Sequence, residues 1–202
     1  MAIDADGSSA PDRGTYSVNL ETSRFYVRVT KSTRLGHSHA ARGSLLSGEI
    51  SLDEAAAGGE LEFDMESLLA DEPEARRFVR LKGTISESDQ QKVTETMLGP
   101  KVVDATRFPT AKFTIRKVVS AETPRGQYTI TGDFTLHGVT RSVDIKAVAK
   151  PGDKDDTDLR LRGYFKIKQT DFEIQPYRAA SGLVGVFDTL TIWGGLRLLR
   201  ER

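Results

Sequence analysis

The stretch Tyr128–Ala149, YTITGDFTLHGVTRSVDIKAVA, constrains this chain more than any other. Its first half sets Tyr128, Ile130, Gly132, Phe134 and Leu136 against Thr129, Thr131, Asp133, Thr135 and His137, and its second half restarts with Val143, Ile145, Ala147 and Ala149. Side chains of period two point to opposite faces of a strand, so each half predicts a strand with one apolar and one polar face. The two runs predict a long hairpin. In it His137 ends the polar face and Gly138 supplies the positive φ that the turn needs.

The same alternation recurs along the chain. Tyr16, Val18 and Leu20 are in phase, as are Phe25, Val27 and Val29 against a polar face of Arg24, Tyr26 and Arg28. Leu61, Phe63 and Met65 follow, then Phe113 and Ile115, then Leu159, Leu161, Phe165 and Ile167, and last Leu190, Ile192, Leu196 and Leu198. Gly36–Ala41 and Ser44–Leu52 predict less regular strands. Gly58-Gly59 and Pro124-Arg125-Gly126 predict turns, and Pro151–Asp158 an acidic loop. Trp193 is out of phase with its apolar neighbours, which places it on an outer surface or under a helix.

Only the middle changes period. Pro73–Leu81 and Ser88–Leu98 predict helices, the second opened by a capping box of Ser88 and Gln91 and stopped at Gly99-Pro100. Val93, Thr96 and Met97 form a stripe that suits a helix laid over one end of a sheet. Regularly spaced strands with one apolar face each predict a sheet closed into a barrel, or a sandwich. The residues alone therefore predict a mainly β fold of about eight to ten strands with a short helical insertion. It forms one domain over residues 15–202, after a small polar tail at residues 1–14.

Composition narrows the functions available. Lys plus Arg and Asp plus Glu number 29 each, with no dense run of one sign, so the electrostatic source of nucleic-acid binding is missing. With no cysteine, thiolate metal sites and cysteine nucleophiles are excluded. No window reaches the length of a membrane-spanning helix. The N-terminus carries acids where a leader needs bases, which predicts a cytoplasmic protein, or a periplasmic one if a leader was removed. No elbow around a serine, P-loop or dinucleotide fingerprint is present.

Three segments carry a resemblance: Arg107-Phe108-Pro109-Thr110-Ala111-Lys112-Phe113, Gly132-Asp133-Phe134-Thr135-Leu136-His137-Gly138-Val139-Thr140-Arg141, and Gln169-Thr170-Asp171-Phe172. In order and spacing they resemble the YceI-like family of lipocalin-like, polyisoprenoid-binding proteins, over roughly residues 15–198. The resemblance implies an extended, lipocalin-like antiparallel β-barrel of about eight strands, with helices at one end and a hydrophobic tunnel for an isoprenoid, a quinone or another long lipid. That ligand is bound for transport or storage without catalysis or any further cofactor, and a homodimer is kept as a candidate assembly. The tunnel lining would comprise Phe25, Val27, Phe63, Met65 and Met97 from the first half of the chain. Phe113, Ile115, Phe134, Leu136, Ile145, Phe165, Ile167 and Ile192 would complete it. Glu173 stands where the family commonly has glycine, so the turn after Phe172 is expected to differ.

The histidines support two further readings. His37 and His39 would share one face of a strand and form a polar mouth that meets a lipid head group. Alternatively, with His137 as a third ligand, they would build a metal-dependent enzyme.

Overall fold

A computed structural model describes residues 14–122, 124, 126–152 and 158–200. The tail expected at residues 1–14 lies outside these except for Gly14, as do Arg125 of the expected turn and most of the acidic loop. Among the described residues no helix is long and apolar enough to cross a membrane.

The first four strands are two long strands, each broken once. β1 (Thr15–Val18) and β2 (Arg24–Lys31) form one path, and β3 (His39–Gly43) and β4 (Leu45–Ser51) return alongside it, β3 on β2 and β4 on β1. β5 (Gly58–Asp64) adds to β4, and the short β6 (Leu69–Ala70) adds to β3. After α1 (Pro73–Phe78) and α2 (Glu87–Leu98), a meander follows. It consists of β7 (Thr110–Ser120), β8 (Gln127–Leu136), β9 (Val139–Pro151) and β10 (Asp158–Lys168). The two-residue β11 (Arg178–Ala179) precedes the last strand, β12 (Val184–Arg200).

β12 closes the sheet. One edge pairs with β10 from Asp158↔Leu199 to Lys168↔Thr189; the other pairs with β1 near Val18↔Leu198 and with β2 from Arg24↔Gly195 to Lys31↔Val186. The result is a closed antiparallel barrel of eight strands. The expected mainly β barrel is therefore the fold, and the alternating apolar residues become its interior.

The interior differs along its axis. At the end away from α2, Tyr16, Ile50, Val118 and Leu198 are fully buried and pack with Leu61, Ile115 and Ile130 into a filled core. Phe113 joins them because its ring turns onto the backbone of Gly132, where an added Cβ would lie 2.5 Å from it. A second, smaller core lies outside the barrel. Tyr26, with Trp193 opposite it across the ladder, points outward and is covered by Phe78, Val79 and Ala75 of the α1 region; the Tyr26 and Phe78 rings stack at 3.8 Å. The face that predicted solvent exposure for Tyr26 is thus buried by a helix, and Trp193 lies partly buried there too.

Several local expectations change. His137 is not the end of a polar strand face: Leu136 pairs with Val139, and His137 (φ 53) and Gly138 (φ 77) form the turn between them. Two successive positive φ values identify the tight turn that matches strand twist. The cap of α2 is Ser86, which accepts from the Asp89 amide, and not Ser88. Residues 36–38 form a loop rather than the start of a strand, and Gly58-Gly59 begin β5 instead of turning. Leu20 lies outside β1 and is exposed. Glu173 takes the left-handed conformation (φ 59), the backbone that favours glycine, so the turn keeps that shape without it.

Gly132→Ala should push the Phe113 ring off its seat and cost about 1–3 kcal/mol, measurable by denaturant unfolding.

Candidate functional site

Toward the α2 end the barrel is hollow. A cavity of about 670 Å³ opens there, within the size range of small-molecule sites. An engineered cavity of ~150 Å³ holds benzene, so this one has room for on the order of twenty carbons. Three inward alanines, Ala41, Ala70 and Ala111, make the space where larger side chains would fill it. Aromatic rings build the floor: Phe25 meets Phe63 edge-on at 5.2 Å, Phe63 meets Phe134 at 6.2 Å, and Phe134 meets Phe165 at 5.3 Å. Such edge-to-face pairs hold their geometry, so the floor is defined.

The roof is α2. Its stripe of Val93, Thr96 and Met97 faces the cavity, joined by Val102 and Val103 from the following segment. α2 sits over the gap between β6 and β7, where the ladder that joins β5 to β7 has ended, and Ala70 donates to the Thr94 hydroxyl at 2.9 Å.

Of the residues expected to line a tunnel, Phe25, Val27, Phe63, Met65, Met97, Phe134, Leu136, Phe165, Ile167 and Ile192 line this cavity. Phe113, Ile115 and Ile145 do not: Phe113 and Ile115 belong to the filled core, and Ile145 packs against it. Alternation reports which side of the sheet a residue faces and says nothing of its height along the barrel. Sequence reading also missed the three alanines, whose small size in the inward phase was the available signal, and Val184, Val186 and Leu190 of β12.

The rim is polar on one side. His37, His39, Thr84, Ser86, Asp89, Lys92 and Tyr177 border the cavity. His39 is anchored by a buried ionic cluster: its Nδ1 lies 2.6 Å from Asp71 Oδ2, and Arg76 donates to Asp71 Oδ1 at 2.7 Å. The Ala40 amide also donates to Asp71 Oδ1, at 3.0 Å. Arg76 reaches further to the carbonyls of Ser38, Lys82 and Gly83, tying the His37 loop, β3 and the entry to α2 together. Burial pushes the Asp71 carboxyl up, but the bonds from His39, Ala40 and Arg76 outweigh it and hold the group below the usual carboxylate range.

The third histidine is elsewhere. His137 Nδ1 lies 3.2 Å from the Phe172 carbonyl and its ring packs on Phe108, so it does not border the cavity with His37 and His39. Among the described residues no group of three or more His, Cys, Asp or Glu side chains is arranged to hold a metal. The geometry needed for the metal-enzyme reading is not formed.

Comparison with known proteins agrees with this architecture. Residues 16–193 match the model of the YceI-like domain. The fold is similar to the crystal structure of BcnA from Burkholderia cenocepacia (16% identity, 89% of this chain and 98% of that one covered, TM-score 0.59). It is also similar to a polyisoprenoid binding domain from Saccharophagus degradans implicated in plant cell wall breakdown (15% identity, 92% and 98% covered, TM-score 0.59). A YCEI protein of Campylobacter jejuni is similar at 17% identity, with 77% and 81% covered and a TM-score of 0.51. No curated protein matches the chain.

Asp71→Asn should leave Arg76 buried without its charge partner and cost about 3–5 kcal/mol in denaturant unfolding. Because the native carboxyl titrates below its unfolded value, its stabilisation is present above about pH 4 and is lost as pH falls through the native pKa. The variant should lack that component of acid sensitivity, measured as unfolding midpoint against pH.

Proposed function

This chain belongs to the YceI-like domain family, and on that footing we propose that it binds one long apolar chain, of isoprenoid type, with the chain's tail on the aromatic floor. The observation that carries this reading is the hollow half of the barrel: a space open at its rim, walled by Phe, Ile, Leu, Val and Met side chains and roofed by α2. The likeness to a polyisoprenoid binding domain supports the ligand class. Binding of this kind needs no reacting group. Each buried CH₂ is worth roughly 0.8 kcal/mol, so about fifteen to twenty carbons supply micromolar affinity after association costs of several kcal/mol.

A polar head would sit at the rim. His37, His39 and Lys92 offer donors there, and the Asp71–Arg76 cluster keeps His39 in place, so a carbonyl, hydroxyl or acidic head group is served while the tail is buried. The role that follows is carriage or storage of a lipid without chemical change.

Native mass spectrometry of the purified chain should show one co-purified long-chain lipid per barrel, released under denaturing conditions. Val27→Trp should fill the cavity, keep the far-UV circular dichroism of the parent and abolish uptake. Retained uptake by that variant, or a barrel that takes up no lipid at all, would overturn the assignment.

A further inference from the structure

Two loops meet beside the cavity mouth, residues 32–38 and 177–183. Both are tied to the start of β12: the Ser32 amide donates to the Gly185 carbonyl at 2.9 Å, and the Val186 amide to the Tyr177 carbonyl at 3.2 Å. A Cβ on Gly36 would lie 3.1 Å from Val184 Cγ1. Lys31 Nζ donates to the carbonyls of Arg34 and Gly36, fixing the first loop's shape. The pair presents large apolar side chains to solvent, Leu35 at 55% and Leu183 at 62% exposure, with Phe187 at 52% on the outer face of β12.

Charge at these loops has one sign. Residues 31–38, KSTRLGHS, carry Lys31 and Arg34 and no acid; residues 174–187, IQPYRAASGLVGVF, carry Arg178 and no acid. Arg77, Arg80 and Lys82 line a shallow groove that shares Thr84 with the cavity and extends the basic region behind α1. The acids nearby are on other segments or engaged. Glu72 pairs with Arg42, Glu74 accepts from Tyr26, and Asp188 accepts from Thr170. Glu87 and Asp89 open α2, while Asp171 and Glu173 follow β10.

We propose that this end of the barrel docks on an anionic lipid surface, with Leu35 and Leu183 entering the head-group layer and Lys31, Arg34 and Arg178 facing its charge. Apolar side chains on two small loops, ringed by cations, match the two terms of interfacial binding, apolar burial and attraction to anionic lipid. A protein partner of standard size would bury about 800 Å² on each side, a continuous area that two loop tips do not supply. Docking here rests on the lipid-chain reading of the cavity and adds its route: the mouth opens at the membrane, so a tail can move between bilayer and barrel without crossing water.

The test is flotation of the full chain with phosphatidylcholine–phosphatidylglycerol vesicles and with pure phosphatidylcholine vesicles. Binding should favour the mixed vesicles by about a hundredfold and fall at high salt, since each of the three basic residues near an anionic surface contributes about fivefold. Leu35→Asp with Leu183→Asp should abolish flotation, and Arg34→Glu with Arg178→Glu should remove the preference for the mixed vesicles. Both variants should keep the parent's melting curve and its uptake of a fluorescent polyene fatty acid presented in solution. Uptake without flotation overturns docking and spares the cavity reading; flotation without uptake does the reverse. Variants that float like the parent also overturn docking. Sedimentation velocity covers the other occupant: a parent dimer made monomeric by the Leu35/Leu183 pair would assign the face to a second copy of the chain instead.

Discussion

Closure of the sheet through β12 is the constraint on which everything else depends. A sheet with open edges leaves backbone donors and acceptors unpaired and gives an apolar face nothing to pack against except another layer. Here one strand of 17 residues serves two neighbours on one edge, β2 and then β1, and β10 along the other. Its register shift between Val186 and Leu190 marks where the ladder to β2 departs from regular pairing. Once the ring is closed, every alternating apolar residue must face the same enclosed axis.

What fills that axis is decided by side-chain volume, level by level. The half remote from α2 is packed by Tyr16, Ile50, Phe113, Val118 and Leu198 and behaves as an ordinary core. The other half combines aromatic rings at its base with alanines in its wall, and too little side-chain volume remains to fill it. A hollow core forfeits contacts that a packed one would make, so the α2 roof and the ionic anchor at its edge have a structural purpose. The Asp71 cluster puts charges in a buried place, which is costly unless the oxygens are hydrogen-bonded; here both Asp71 oxygens are, through His39, Ala40 and Arg76, and the bonds join otherwise separate segments.

Reading the chain as a sequence reached most of the strands and their inward faces, because a period of two is written locally in residues such as Phe25, Val27, Phe134 and Leu136. It placed Met97 in a helix over the sheet end for the same reason. It failed where a distant segment decides. Tyr26 looked solvent-facing until α1 covered it, and Phe113 looked like lining until its ring folded over Gly132; a local miss was the α2 cap, which is Ser86, two residues before Ser88. His137 was read one step too far into its strand, since both residues of the turn, and not the glycine alone, take positive φ.

By itself, the sequence determined a mainly β fold and, for most strands, which side chains would face its interior, since alternation and turn chemistry act between neighbours. Tertiary structure alone decided where that interior is empty. Whether a space is filled depends on the summed volumes of residues such as Ala41, Phe63, Ala111 and Ile192, brought to one level from strands far apart in the chain. The mouth was decided in the same way, for His39 meets Asp71 and Arg76 only when the segment after β6 folds back on β3, and the loop of residues 32–38 reaches β12 through the Ser32–Gly185 bond.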